Sequence, residues 1–338
     1  MKIAIDAMGG DFAPQAVLDG LKLTLPDLCA STEIALYGDE PLLAAGLAER
    51  GISDARVSIV PASQVISCEE PPTLAIRRKK DSSLVRALTD VAVNDADCVL
   101  SAGSTGALLA GATLIIKRQT DVKRPALATL LPTEKEGGSV LLLDCGANTD
   151  CKPAYLAQFA LMAAAYMERF IGVDNPRIGL LNNGEEAEKG NELTKAAYAL
   201  LKKAPVNFAG NCEARDALTG RFDAVVCDGF DGNVLLKGLE GAAALMMGLL
   251  KANMTASFRA KIGAALAKPA LRALKHKMDY TEYGGAPLLG VNGGVVKAHG
   301  SSNARAFSSA IRQCERMTAS GVTRGVGEAV AAMTLEED

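Results

Sequence analysis

CVLSAGSTGALLAGATLIIK, residues 98–117, passes from a short apolar run through a glycine- and serine-rich turn into a helical pattern. Cys98 to Ser101 reads as a buried strand and Thr105 to Lys117 as the helix after it. The same unit recurs along the chain. Ile3 to Ala7, Glu33 to Tyr37, Val57 to Val60, Ala126 to Leu131, Val140 to Asp144, Ile178 to Leu181 and Ala224 to Cys227 are strand-like, while Pro14 to Leu25, Ser83 to Asn94, Pro153 to Ile171 and Glu185 to Lys202 are helical. The alternation predicts an α/β fold, a largely parallel sheet flanked by helices on both faces.

No repeat, low-complexity segment or proline-rich linker divides the 338 residues. Residues 1–338 are therefore expected to form one α/β unit, with room for two lobes. Eight cysteines without any C-x-x-C spacing read as reduced thiols. The start, MKIAIDAMGG, has an acid inside its apolar run and does not read as a secretory leader. The longest strongly apolar stretch, Gly241 to Leu250, is about half of the roughly 20 residues a bilayer span needs. A soluble, cytoplasmic protein is expected. The net charge of −3 and the absence of tryptophan give no sign of a nucleic-acid partner.

In α/β sheets, ligands gather at the loops leaving the carboxyl ends of strands. Here those loops are AMGGD, SAGSTG, DCGANTD, LNNGEE and CDGFDGN. They make Asp6, Gly9, Gly10, Ser104, Thr105, Gly106, Asn148, Asn182, Asp228 and Gly232 candidates for holding a phosphate or substrate, because free N–H groups at a helix start attract anions. Ordinary helix capping explains several of them equally well. Lys189 follows three acids at an expected helix start and could be a simple helix ion pair. In YGGAPLLGVNGGVVKAHGSSNARAF, His299, Ser301 and Asn303 lead into another helix. Neither G-x-x-x-x-G-K-[ST] nor a strand-following G-x-G-x-x-G occurs, and G-x-S-x-G, H-E-x-x-H and Cys/His pairs at ligand spacing are missing too. Nucleotide, metal and triad chemistry are disfavoured.

Taken together, IAIDAMGGDFAP, EEPPTLAIRRKKDSSL, SAGSTGALLAG, LLLDCGANTDCKP, GLLNNGEEAEKGN, VVCDGFDGNVLLKGLEG and YGGAPLLGVNGGVVKAHGSSNA resemble the bacterial phosphate acyltransferase family of phospholipid synthesis. The likeness spans essentially the whole chain, with Ser104, Asn183 and Asp231 departing from the usual Asn, aliphatic and Thr. It implies that a fatty acyl group moves from acyl carrier protein to inorganic phosphate without metal or cofactor. It also implies a homodimer with a phosphotransacetylase or isopropylmalate dehydrogenase-like fold, and a membrane glycerol-3-phosphate acyltransferase as consumer of the acyl phosphate. Such chemistry needs no nucleophilic side chain, since phosphate brings its own oxygens and a thiol of pKa about 8.5 departs readily. Lys189 is assigned as the cation at phosphate or oxyanion, and Asn233 as an orienting or oxyanion donor. His299, with Ser301 and Asn303, is assigned to phosphate or carrier-thiol contacts.

No acid lies between Glu240 and Asp279, whereas Phe258 and Ile262 recur at helical spacing among Arg259, Lys261, Lys268, Arg272 and Lys275. This excursion, about 241–279, reads as a basic amphipathic helix pair contacting an anionic membrane surface or acyl carrier protein. Two other functions fit parts of the pattern: a phosphotransacetylase using short-chain acyl coenzyme A, and a noncatalytic scaffold at the membrane surface.

Overall fold

Strands β1 (Lys2–Asp6), β2 (Glu33–Gly38), β3 (Val57–Pro61) and β4 (Cys98–Ser101) begin where the apolar runs place them, and β1 and β4 are buried almost throughout because helices cover both faces. A computed structural model describes residues 1–278 and 284–333, without the side chains of 275–278. Helices α1 (Gln15–Thr24), α2 (Glu40–Glu49), α3 (Pro72–Arg78), α4 (Ser83–Ala92) and α5 (Thr105–Gly111) lie between or after these strands. In α4, Leu84, Leu88 and Val91 form the buried stripe that helical spacing requires.

The chain continues through β5 (Ala126–Pro132), β6 (Ser139–Leu143), α6 (Pro153–Tyr166), β7 (Ile178–Asn182), α7 (Glu192–Leu201), β8 (Phe208–Glu213) and β9 (Ala224–Val226). After them come α8 (Gly229–Thr255), α9 (Phe258–Leu266), α10 (Lys268–Met278), β10 (Ala286–Leu289), β11 (Gly294–Lys297), α11 (Ala304–Ser320) and α12 (Val322–Ala331). One 11-stranded sheet results, ordered β3-β2-β1-β4-β11-β10-β5-β6-β9-β7-β8. Its pairings are parallel except at the centre, where β10 runs against β11 and β5, and β5 against β6.

Three strands escaped the sequence reading. Strands β10 and β11 sit in the glycine-rich segment read as a loop, each with only four residues. Strand β8 pairs with β7 across a register shift beside Gly210 and carries the polar Asn211. The helix expected from Glu185 starts at Glu192 instead, because the Asn191 carboxamide accepts from the Thr194 N–H at 2.9 Å and caps it there. Glu185 pairs with Arg221 rather than with Lys189.

The excursion also starts earlier than expected. Helix α8 is continuous from Gly229, 27 residues long, and by length and composition apolar enough to cross a bilayer. Its first turns nevertheless belong to the sheet domain. Gly229 and Gly232 are buried, and a Cβ on Gly232 would fall 1.9 Å from the Asp144 carbonyl oxygen. Only glycine lets α8 approach the end of β6 so closely. Pro269 stands in the first turn of α10, as its missing N–H favours.

Candidate functional site

Several chain segments meet in a cavity of about 490 Å³ at one end of the sheet. The start of α5 contributes Thr105 and Gly106, the loop after β6 contributes Cys145 and Gly146, and the first turns of α8 contribute Asn233, Leu236, Lys237 and Glu240. The end of β11 supplies Lys297, and the turn after it His299, Gly300 and Ser302.

Two buried carboxylates hold these segments in place. Asp6, at the end of β1, accepts from the Ser83 and Ser101 hydroxyls at 2.6 and 2.7 Å, joining β1 to α4 and β4. Asp144, just after β6, accepts from the main-chain N–H groups of Leu127, Gly146, Ala147 and Asn148 and from the Asn148 carboxamide, all at 2.8 to 3.1 Å. Burial still outweighs these donors and raises both carboxyl groups above their ordinary range. Asp6 and Asn148 are thus committed to internal bonds. Gly9 and Gly10 pack behind the cavity, against Gly103 and Gly300.

The remaining loop candidates divide between caps and cavity wall. Ser104, Asp228 and Asn303 cap α5, α8 and α11, each accepting from N–H groups in the first turn. Ser104 thereby aims the free N–H groups that open α5 towards the cavity edge at Thr105. His299 is oriented by Ser301, whose main-chain N–H reaches Nδ1 at 3.2 Å and whose hydroxyl lies 2.8 Å from it. A main-chain N–H can only donate, so the neutral ring carries its proton on Nε2 and can offer it as a hydrogen-bond donor.

Lys189 and Asn182 do not join this group. The Asn182 carboxamide donates to the Lys189 carbonyl at 3.2 Å, beside a separate cavity of about 760 Å³ bounded by Asn183, Asn191, Asp231 and Val234. Helix α8 stands between the two, with Asn233 and Lys237 facing one cavity and Val234 and Gly238 the other.

The sequence reading passed over Lys297. It is 8% exposed at the end of β11, and its ammonium donates to the carbonyls of Ala102, at 3.4 Å, and Ala298. Burial lowers its pKa to about 8, although Cys68, Asp6 and Asp11 pull the other way and Lys237 adds to the lowering. Its one sequence signal was a charged residue in the otherwise apolar run GVVKA. Lys237 is neutralised by Glu240 at 2.8 Å, whereas among the described residues no carboxylate forms an ion pair with Lys297. Cys145 is the wall's thiol, but burial and then Asp144 push its pKa well up and keep it protonated, unsuited to nucleophilic attack. Glu185, Glu213 and Asp216 could bring carboxylate oxygens within 4.8 Å of one another for a cation, but they do not line this cavity.

A family model described as fatty acid synthesis protein matches residues 1–324. The chain belongs to that family. Among its relatives, a phosphate acyltransferase from Clostridium perfringens is 49% identical over 317 residues, covering 94% of this chain and 93% of that protein. One from Bacillus cereus is 47% identical over 336 residues, covering 99% of this chain and all of its own length. A phosphotransacetylase from Streptococcus pyogenes superposes with a TM-score of 0.61 at 16% identity, covering 94% of each chain. A branched-chain phosphotransacylase from Enterococcus faecalis gives 0.59 at 15%, covering 94% of this chain and 99% of that one. At these identities the family shares the fold of those structures.

Because the Lys297 ammonium is charged only below its pKa, phosphate binding measured by calorimetry should weaken as pH rises through about 8. Lys297→Met should weaken it at least tenfold at pH 7, roughly the loss of one charge-assisted bond, and should remove the pH step. Affinity unchanged between pH 7 and 10 would contradict the assignment.

Proposed function

We propose that this family member carries the phosphate acyltransferase activity its relatives' names state, and that the group it moves to inorganic phosphate is a fatty acyl chain from the thioester of acyl carrier protein. The observation that carries the reading is the buried ammonium of Lys297, which bonds main-chain carbonyls and, among the described residues, no carboxylate, in a wall that also holds the start of α5, an amide and an imidazole donor.

Lys297 and the first N–H groups of α5 hold the phosphate. One phosphate oxygen adds its electron pair to the thioester carbon, and the carbonyl π pair moves onto oxygen. The Asn233 amide and the His299 Nε2–H stabilise that oxyanion. Its collapse expels the carrier sulfur as thiolate, whose pKa near 8.5 makes a strong acid unnecessary. A basic opening of about 580 Å³, lined by Arg118, Lys123 and Arg124, meets the cavity at Leu109 and suits an acidic carrier.

The test is phosphate-dependent release of carrier thiol from hexadecanoyl carrier protein, with hydroxylamine trapping of the acyl phosphate. Asn233→Ala should lower kcat about 100-fold, the scale of one lost oxyanion donor. Thiol release without phosphate, or equal use of acetyl coenzyme A, would refute the reading, the latter in favour of a short-chain phosphotransacetylase.

A membrane surface is a second proposed partner. Phe258 and Leu266 on α9 are 79% and 80% exposed, Ile262 lies between them, and Arg259, Lys261, Lys268 and Arg272 surround this apolar stripe. The expected contact at Lys275 lies outside the described side chains. Flotation with anionic vesicles should exceed flotation with neutral ones, and Arg259→Glu with Lys261→Glu should abolish the difference. Equal flotation on both lipids would refute membrane contact by this route.

A further inference from the structure

A fatty acyl chain attached at the thioester carbon must leave the polar cavity through an apolar path. On α8, Leu236 and Glu240 face the polar cavity and also a cleft of about 190 Å³. The rest of this cleft is apolar: Leu131 and Pro132 at the end of β5, Leu218, and the α8 residues Leu239, Ala242, Ala243 and Met246. Glu240 is its one charged lining residue, and the carboxylate is bonded to Lys237, which lines the polar cavity and not the cleft. The other two neighbouring cavities carry several charged or amide side chains in their walls. One carries Asn182, Asn183, Arg215 and Asp231, the other Arg118, Lys123 and Arg124.

We infer that the cleft between α8 and the end of β5 is the acyl-chain subsite, and that α8 measures the chain. This rests on the acyl-transfer reading above. Leu236, Leu239, Ala243 and Met246 are spaced three, four and three residues apart, so they form one stripe along the helix. The stripe extends ten residues, about 15 Å at 1.5 Å per residue. It begins beside Asn233 and the oxyanion site and ends at Met246, which is 64% exposed. Alanine at 242 and 243 leaves the room that larger side chains would fill. Each methylene taken into such a cleft is worth about fourfold in kcat/KM, from roughly 0.8 kcal/mol per buried methylene.

The experiment compares kcat/KM for butanoyl and hexadecanoyl carrier protein in the wild type, Ala243→Phe and Leu239→Ala. Filling the cleft at Ala243, which is half-buried, should lower hexadecanoyl turnover at least tenfold and leave butanoyl turnover within about twofold. Leu239→Ala should flatten the wild-type preference for the longer chain, and the butanoyl rate reports that each variant is folded. Equal losses for both chain lengths, or an unmoved chain-length profile in both variants, would overturn the subsite. Wild type that transfers neither acyl group to phosphate would sink the acyl-transfer reading and the subsite with it.

Discussion

The Asp144 carboxylate is the constraint on which the site depends. It is fully buried, and its two oxygens gather five N–H donors from Leu127 and from residues 146–148. Removing it would strand main-chain N–H groups in the interior, each costing about 1–3 kcal/mol. The Asp144 carbonyl lies directly beneath Gly232, so the same residue sets how closely α8 approaches the sheet. Asn233, Leu236 and Lys237 take their positions from that approach. Asp6 does related work across the sheet, tying β1 to Ser83 and Ser101 and so fixing the turn that leads into α5.

Helix α8 consequently works as a partition. Its first turns separate a cavity rich in donors from the Asn182 cavity, and one stripe further along closes an apolar cleft. Polar and apolar space therefore share a wall at Leu236 and Glu240. Phosphate chemistry and a long hydrocarbon chain make opposite demands on solvation, and such a wall meets both within a few residues. Burial keeps the Cys145 thiol protonated, which fits the proposed chemistry in which phosphate brings its own attacking oxygen.

Much of this architecture is legible in the amino-acid sequence. Apart from β8, the strands from β1 to β9 announced themselves as short apolar runs, and the glycine- and asparagine-rich turns lay at the carboxyl ends of several of them, where parallel sheets gather ligands. Strands β10 and β11 were hidden because glycines bound their short runs closely, so the whole segment carried the composition of a loop. Lys297 went unnoticed for the same reason, since its importance comes from burial at the end of a strand that was not seen. The distance between Lys189 and His299 is a tertiary fact. Both follow polar turns, but α8 comes between them, and nothing in the two local sequences records which side of a distant helix each turn will face.

The central claim is that the anion is held on the Lys297 side of α8. Crystals soaked in phosphate, or in tungstate as its electron-dense substitute, test it most directly. The account predicts the anion within hydrogen-bond distance of Lys297 Nζ, close to Thr105 and Asn233. An anion bound beside Lys189 instead, on the opposite side of α8, would contradict it.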